Sequence, residues 1–313
     1  MVRKFPAIIF IVCACVASSC GRGARLPEDL SRAESLLDSR PDSSLIILDS
    51  ASYSESSGRY LYASYCLLRT FAEYNAYKPG IDEGMMNVGV DYFLKYGNRD
   101  RKAQAYYLRA VVREDNKSGD QADWANDLLL AAKEVKGSGN HMLAAMINLR
   151  YAVVLNDRKW YDASLPYLEK GLEEAEKAGS LAFQVTALIN LSHRALFLGD
   201  ENKDYSEAIE YANRAAEISK GDDNDYARAL YNLGACYSRN GQFDKALECA
   251  STAVRAQERL FREGKRKARV RYAVLADAFR KKNIPDSALF YAAREMEASD
   301  LIAKLSGSQL SYI

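Results

Sequence analysis

The chain has 313 residues, of which 48% are hydrophobic and 27% charged, a composition typical of a folded globular protein rather than a disordered one. The 43 Lys and Arg residues nearly balance the 42 Asp and Glu residues, so the net charge of +1 argues against a dedicated nucleic-acid binder. Two histidines leave little room for a histidine-based metal centre, and a low count of six prolines favours a helical fold.

The first twenty residues have the pattern of an export signal. A basic start precedes an apolar run over residues 5–17. That run is shorter than the roughly 20 residues needed to cross a bilayer, which is typical of a signal-peptide core. It ends in Ala17-Ser18-Ser19 before Cys20, and this ending resembles a bacterial lipobox. The resemblance implies that Cys20 carries lipid. Cys15 is an alternative lipidation site, and a secretory signal with incidental cysteines is a further one.

The rest of the chain has helical patterns throughout. Residues 21–28 are predicted to form a tether, and amphipathic patterns begin at about residue 29. No alternating apolar and polar run of strand length follows, so we expect an all-α protein. Apolar residues at helical spacing predict helices over residues 60–77 and 81–96. The first is ended by Pro79-Gly80 and the second by Gly97.

Around residue 240 the chain carries a motif with large and small residues at fixed places. In chain order, the motif consists of Leu230, Leu233, Gly234, Tyr237, a turn over residues 241–243, Ala246, Ala250 and Ala253. The small residues Gly234 and Ala246 allow two antiparallel helices to approach closely, and the larger residues fill the seam between them. This motif resembles the tetratricopeptide (TPR) repeat, a helix–turn–helix unit.

Four other segments repeat the motif in phase. Their residues are Leu108, Val112, Ala125, Leu129 and Ala132; Tyr151, Ala152, Leu155, Tyr161, Ser164 and Gly171; Leu191, Ser192, Gly199, Tyr205, Ala208, Ala212 and Ala215; and Leu275, Ala276, Phe279, Ala288 and Ala292. The period of about 38–44 residues exceeds the usual value of about 34. The resemblance predicts a TPR-like α-solenoid of antiparallel helix pairs. We expect about five repeats over residues 101–304, degenerate capping repeats over residues 29–100, and a tail over residues 305–313.

The TPR resemblance also implies a function. The first helix of each TPR repeat lines a concave groove that binds peptides or helices, so we expect a non-enzymatic scaffold with a protein or peptide partner. By repeat register, the groove is expected to present Tyr106, Arg113, Arg150, Asn190, His193, Tyr231, Asn232, Arg239 and Arg280. We expect Tyr231, Asn232 and Arg239 on one exposed face, with Tyr231 and Arg239 outside the seam. The Lys/Asn clamp that some TPR domains use for a C-terminal carboxylate is not reproduced.

The whole chain resembles envelope-exported TPR lipoproteins of Gram-negative bacteria. That resemblance implies a periplasmic or outer-membrane protein held to the membrane by its N-terminal lipid. Two alternatives stay open: an accessory lipoprotein for glycan capture or nutrient uptake, and a sensor fragment that lacks an output domain after Ser306.

The sequence shows no phosphate-binding loop and no HExxH motif, so we expect no catalytic residue, cofactor or metal site. Cys236 and Cys249 are predicted to be either a disulfide or two inert thiols. The basic stretch over residues 255–271 is interpreted as a solvated helix end, or else as a patch for an anionic partner or lipid headgroups.

Overall fold

A computed structural model of the chain describes residues 25–263 and 270–308. The predicted signal sequence, the lipidation sites at Cys20 and Cys15, most of the tether and the last five residues lie outside the described residues. The described residues form helices and loops and contain no strand. The α-helices are α1 Glu28–Leu36, α2 Pro41–Ser50, α3 Arg59–Asn75, α4 Glu83–Tyr96, α5 Arg99–Asp115, α6 Gln121–Val135, α7 His141–Asp157, α8 Tyr161–Lys177, α9 Leu181–Asn202, α10 Ser206–Ile218, α11 Asp223–Arg239, α12 Phe243–Arg262, α13 Ala273–Lys281 and α14 Pro285–Ser308.

Consecutive helices pack as antiparallel pairs, from α1/α2 to α13/α14, and the pairs stack in chain order. This arrangement confirms the predicted all-α, TPR-like solenoid. The first helices α5, α7, α9 and α11 begin 40 to 42 residues apart, within the predicted period, whereas α13 begins 50 residues after α11 and so lies outside it.

Side-chain caps and left-handed turn residues define where the helices begin and end. Six helices begin at a residue whose side chain accepts a backbone N–H of the first turn. These caps are Asp82, Asn98, Asp120, Asn140, Ser180 and Asp222. The turn that joins the two helices of a pair repeats one positive-φ position, occupied by Tyr77, Lys117, Lys159, Lys203, Gly241 and Asn283. Only the turn of the best motif copy has glycine at this place, where a left-handed conformation is free of strain.

The α11/α12 pair shows why the motif requires small residues. A Cβ atom on Gly234 would lie 3.2 Å from the carbonyl oxygen of Ala246 and 3.4 Å from the backbone nitrogen of Ala250. Ala246 and Ala250 are fully buried in the same contact. The predicted close approach of these two helices is therefore confirmed.

The array curves so that the first helices of the pairs lie on its inner side. Each first helix contacts the first helix of the next pair, in the series α1, α3, α5, α7, α9, α11 and α13. No two second helices contact each other within the described residues. Because first helices are closer together than second helices, the surface that they share is the concave one. We call it the inner surface.

Helix α9 is, among the described residues, the one helix long and apolar enough to cross a membrane. It packs against α8, α10 and α11, and residues such as Val185, Leu188 and Leu191 are buried inside the array. These contacts are those of a core helix in the solenoid.

Candidate binding surface on the first helices

Polar side chains of α9 and α11 meet on the C-terminal half of the inner surface. The Asn232 amide Nδ2 on α11 donates to Ser192 Oγ on α9 at 2.8 Å. Ser192 Oγ in turn donates to the carbonyl oxygen of Ala208 on α10, also at 2.8 Å. This chain of hydrogen bonds joins three helices and fixes the orientation of the Asn232 amide.

The other atom of that amide is an acceptor without a partner. Asn232 is 1% exposed, and its Oδ1 has no hydrogen-bond partner among the described residues. The amide also faces the imidazole of His193, at a geometry short of a hydrogen bond. A buried acceptor without a donor costs about 1–3 kcal/mol, so such atoms are uncommon in native cores. The prediction that Asn232 lies on an exposed face is wrong, because its side chain is held between α9 and α11.

His193 is half-buried and neutral at pH 7. Burial lowers the pKa of its imidazole to about 4, and the positive charge of Arg271 acts in the same direction, with a smaller effect from Arg228. The imidazole therefore presents one N–H donor and one acceptor nitrogen rather than a positive charge.

Two arginines and a tyrosine complete this site. The guanidinium of Arg271 lies over the ring of Tyr231, 5.4 Å from its centroid. Arg228 is held by Asp225 at 2.8 Å and donates to Thr186 Oγ1 at 3.3 Å. We call the residues His193, Arg228, Tyr231, Asn232 and Arg271 the inner polar cluster. Tyr231 also packs against the cores on both sides of α11, so the prediction that it stays outside the seam is wrong.

Three other predicted groove residues make their ion pairs and hydrogen bonds outside this cluster. Arg239 pairs with Asp200 of α9 at 2.5 Å, across the inner surface. Asn190 donates to the carbonyl oxygen of Thr186 in its own helix at 2.9 Å. Arg280, on α13, is exposed and pairs with Asp277 one turn earlier, at 2.7 Å.

The N-terminal half of the inner surface is filled with aromatic rings. Tyr107 of α5 is stacked on Phe71 of α3 at 6.0 Å and meets Tyr74 edge-on at 6.5 Å. Arg150 of α7 forms an ion pair with Glu114 of α5 beside these rings. The Arg150 Nε atom is buried and has no partner among the described residues. Arg150 therefore lies on the predicted surface, and its ion pair with Glu114 is made within the protein.

Tyr106 and Arg113 were predicted in the groove but lie on another face of α5. Arg113 Nε lies 3.9 Å from Glu83 of α4. The Tyr106 ring is covered by Arg109, which binds Asp127 of α6 through two hydrogen bonds. Both residues thus point toward second helices. The predicted register of α5 is wrong by one residue, which rotates a side chain by about 100°; the inner positions belong to Tyr107 and Glu114.

Arg228 and Arg271 belong to the cluster but were not predicted from the sequence. Arg228 lies one turn before Tyr231, so helical spacing from that residue could have indicated it. Arg271 was noticed only as part of a basic stretch. It lies in the segment before α13, and the sequence has no signal that would place it over Tyr231.

The cysteines and acidic residues show no reactive or metal-binding arrangement in the described part of the chain. Cys236 and Cys249 are free thiols, and burial raises the pKa of both to about 11. Cys236 faces Ser192 Oγ, at 3.3 Å, on the side of α9. Of the two predicted alternatives, the structure has the pair of thiols. No group of three or more potential metal ligands occurs within residues 25–263 and 270–308.

Comparison with known proteins supports a TPR protein. Residues 201–259 and 225–299 match the model of the tetratricopeptide repeat family. No curated protein matches the chain.

Solved structures share the fold at low sequence identity. A Rap protein complexed with competence and sporulation factor is 14% identical, with a TM-score of 0.64 over 87% of this chain and 75% of that one. Aspartyl phosphate phosphatase F from Bacillus subtilis is 13% identical, with a TM-score of 0.56 over 87% and 69%. BtubC from P. vanneervenii is 18% identical, with a TM-score of 0.52 over 74% and 88%.

Proposed function

We propose that the protein is a non-enzymatic interaction scaffold that binds a peptide segment of a partner on its inner surface, at the inner polar cluster. The TPR repeats and the likeness to Rap proteins support a protein-binding role. The Rap protein complexed with competence and sporulation factor shares this fold.

The single observation that carries the proposal is the Asn232 amide. Its Nδ2 is occupied by Ser192, and its buried Oδ1 faces the His193 imidazole without a well-formed hydrogen bond among the described residues. Because Oδ1 is closed off from solvent, a backbone N–H of a bound segment would satisfy this acceptor by displacing the half-buried His193 imidazole beside it. The neutral imidazole of His193 offers a second donor or acceptor beside it. Backbone recognition of this kind suits an extended peptide, and the ring of Tyr231 with the Arg271 guanidinium suits packing against its side chains.

The experiment uses two variants that break the same internal hydrogen bond. A peptide is selected on the parent protein from a displayed library of random sequences, and its affinity is measured by titration calorimetry. Asn232→Ala removes Oδ1 together with the bond to Ser192, whereas Ser192→Ala removes the bond but keeps Oδ1. We expect Asn232→Ala to weaken binding about tenfold or more and Ser192→Ala much less. Melting temperatures of both variants show whether their losses of stability are comparable.

Equal affinities for the two variants would contradict the role of Oδ1. If neither variant changed the affinity, the peptide would bind away from the inner polar cluster, and the proposal would fail.

We also propose that the protein works in the bacterial cell envelope, held by lipid on Cys20. The support is the basic and apolar start of the sequence and the small residues before that cysteine.

A further inference from the structure

The last helix, α14, carries an apolar stripe on its exposed side. Leu289 and Met296 are each 69% exposed, and the exposed Ala292 lies between them. These residues are spaced three and four apart, so they lie on one face of the helix. Phe290, 58% exposed, lies at the edge of this face. Single exposed apolar side chains are common on protein surfaces, whereas a contiguous group such as this one marks a candidate interaction surface.

The equivalent face of α12, the second helix of the preceding pair, is covered by other helices. Helix α12 begins 42 residues before α14, so Leu247, Ala250 and Val254 are the equivalents of the three residues of the stripe. In α12 these side chains belong to one apolar cluster with residues of both α11 and α13, and Ala250 and Val254 are 0% and 6% exposed. The stripe on α14 therefore has the pattern of a surface that receives the first helix of a following pair.

Charged residues around the stripe indicate which kind of helix could bind to it. Near the start of α12, Asp244 pairs with Lys282, which directly follows α13. Its equivalent on α14 is Asp286, and Glu297 lies beside the other end of the stripe; both are exposed. An arriving helix would therefore need an apolar face and a basic residue at its C-terminal end, as α13 has.

A second copy of this chain fits these charges less well. Two α14 helices packed side by side would bring the acidic residues of one stripe toward those of the other, which is unfavourable. The opposite end of the array does not fit either, because the exposed residues of α1 are polar, as Ser31, Arg32 and Ser35 show.

We propose that α14 binds an amphipathic helix of another protein, with an apolar face and a basic C-terminal end, as the first helix of an eighth pair. This surface is on the end of the array and is separate from the inner polar cluster. A partner could therefore occupy it whether or not a peptide binds at Asn232.

The test supplies the missing helix from the chain itself. Residues 270–284, which contain α13, are appended a second time after residue 313 through a flexible Gly/Ser linker. The linker is needed because a free helix of this length is marginal in water. Hydrogen exchange is then measured on the backbone amides of α14. Because α14 matches α12, the appended copy should slow exchange in α14 about tenfold or more relative to the parent.

Two matched controls separate specific packing of the appended helix on α14 from a general effect of the fusion. A fusion with the same fifteen residues in scrambled order should exchange like the parent. In the authentic fusion, Leu289→Glu with Met296→Glu should remove the added protection, and α12 should remain protected, which shows that the array still folds.

Two outcomes would overturn the proposal. In the first, the authentic and scrambled fusions give the same exchange in α14. In the second, the parent chain is a dimer by sedimentation equilibrium and Leu289→Glu makes it a monomer, because the occupant would then be a second copy. Loss of peptide binding in the Asn232 experiment would not affect this result, so the two proposals can fail separately.

Discussion

The protonation of His193 couples the inner polar cluster to folding. Partial burial, together with the nearby charges of Arg271 and Arg228, lowers the pKa of its imidazole to about 4 in the folded protein, against a usual value of 6.5. Between these values the unfolded chain binds a proton that the folded chain does not. Stability therefore falls as the pH is lowered through this window and is unaffected by this group above it.

Replacing His193 with glutamine tests this linkage. From about pH 7 to about pH 4.5, the parent should lose about 2 kcal/mol of unfolding free energy more than His193→Gln does. Urea unfolding at several pH values in this range gives the difference directly. The carboxylates titrate in both proteins, so their contribution cancels. Parallel stability curves for the two proteins would show that His193 is solvated and titrates normally.

For single residues, the helix on which a groove residue lies was more predictable from the sequence than the burial and direction of its side chain. His193, Tyr231 and Asn232 were predicted together, and the structure brings them together. Their burial was not predictable, because it depends on how closely α9 and α11 approach. On α5 the neighbouring tyrosines 106 and 107 both suit an inner position, and only the contacts with Phe71 and Arg109 decide between them.

At the scale of a helix pair, the packing of α11 on α12 depends on Ala246. This residue is fully buried, and its carbonyl oxygen would be the nearest atom to any side chain at Gly234. Ala246→Arg would force a long charged side chain into that contact. We expect a loss of about 3 kcal/mol or more, since overpacking costs about 1–3 kcal/mol and a buried unpaired charge adds to it.

Glu248→Arg provides the matched control for that substitution. Glu248 lies on the same helix, two residues later, and is exposed. The same arginine at this position should change the unfolding free energy by no more than about 0.5 kcal/mol. Equal melting temperatures for Ala246→Arg and the parent would show that the α11/α12 contact differs from the one described.

Helix pairs were the most predictable part of the fold because their small residues recur at fixed distances. Gly234, Ala246 and Ala250 mark two helices in close contact, and the phased copies extend this pattern along the chain. Gly89 shows what the pattern missed. A Cβ atom there would lie 2.9 Å from the backbone nitrogen of Leu67, so α3 and α4 pack by the same rule although their sequence lacks the rest of the motif.

At the scale of the whole molecule, the two ends of the array differ. The first helix exposes polar side chains, as expected for the end of a solenoid, whereas the last helix exposes Leu289 and Met296. The proposed lipid on Cys20 would lie before the polar end, and the apolar stripe lies on α14 at the other end. A scaffold attached in this way would hold its helix-binding end away from the membrane, with the inner surface between the two.

The attachment itself is tested by changing Cys20. If this cysteine carries the lipid, Cys20→Ser should move the protein from the detergent phase to the aqueous phase when cells are extracted with a phase-separating detergent. The expected change is large, because stable anchoring needs more than one acyl chain and these are lost together. Cys15→Ser is the matched control, since it removes a thiol from the same signal and should leave the partition unchanged. If Cys15→Ser released the protein and Cys20→Ser did not, Cys15 would be the lipidated residue. If neither substitution changed the partition, lipid on these cysteines would not be what holds the protein.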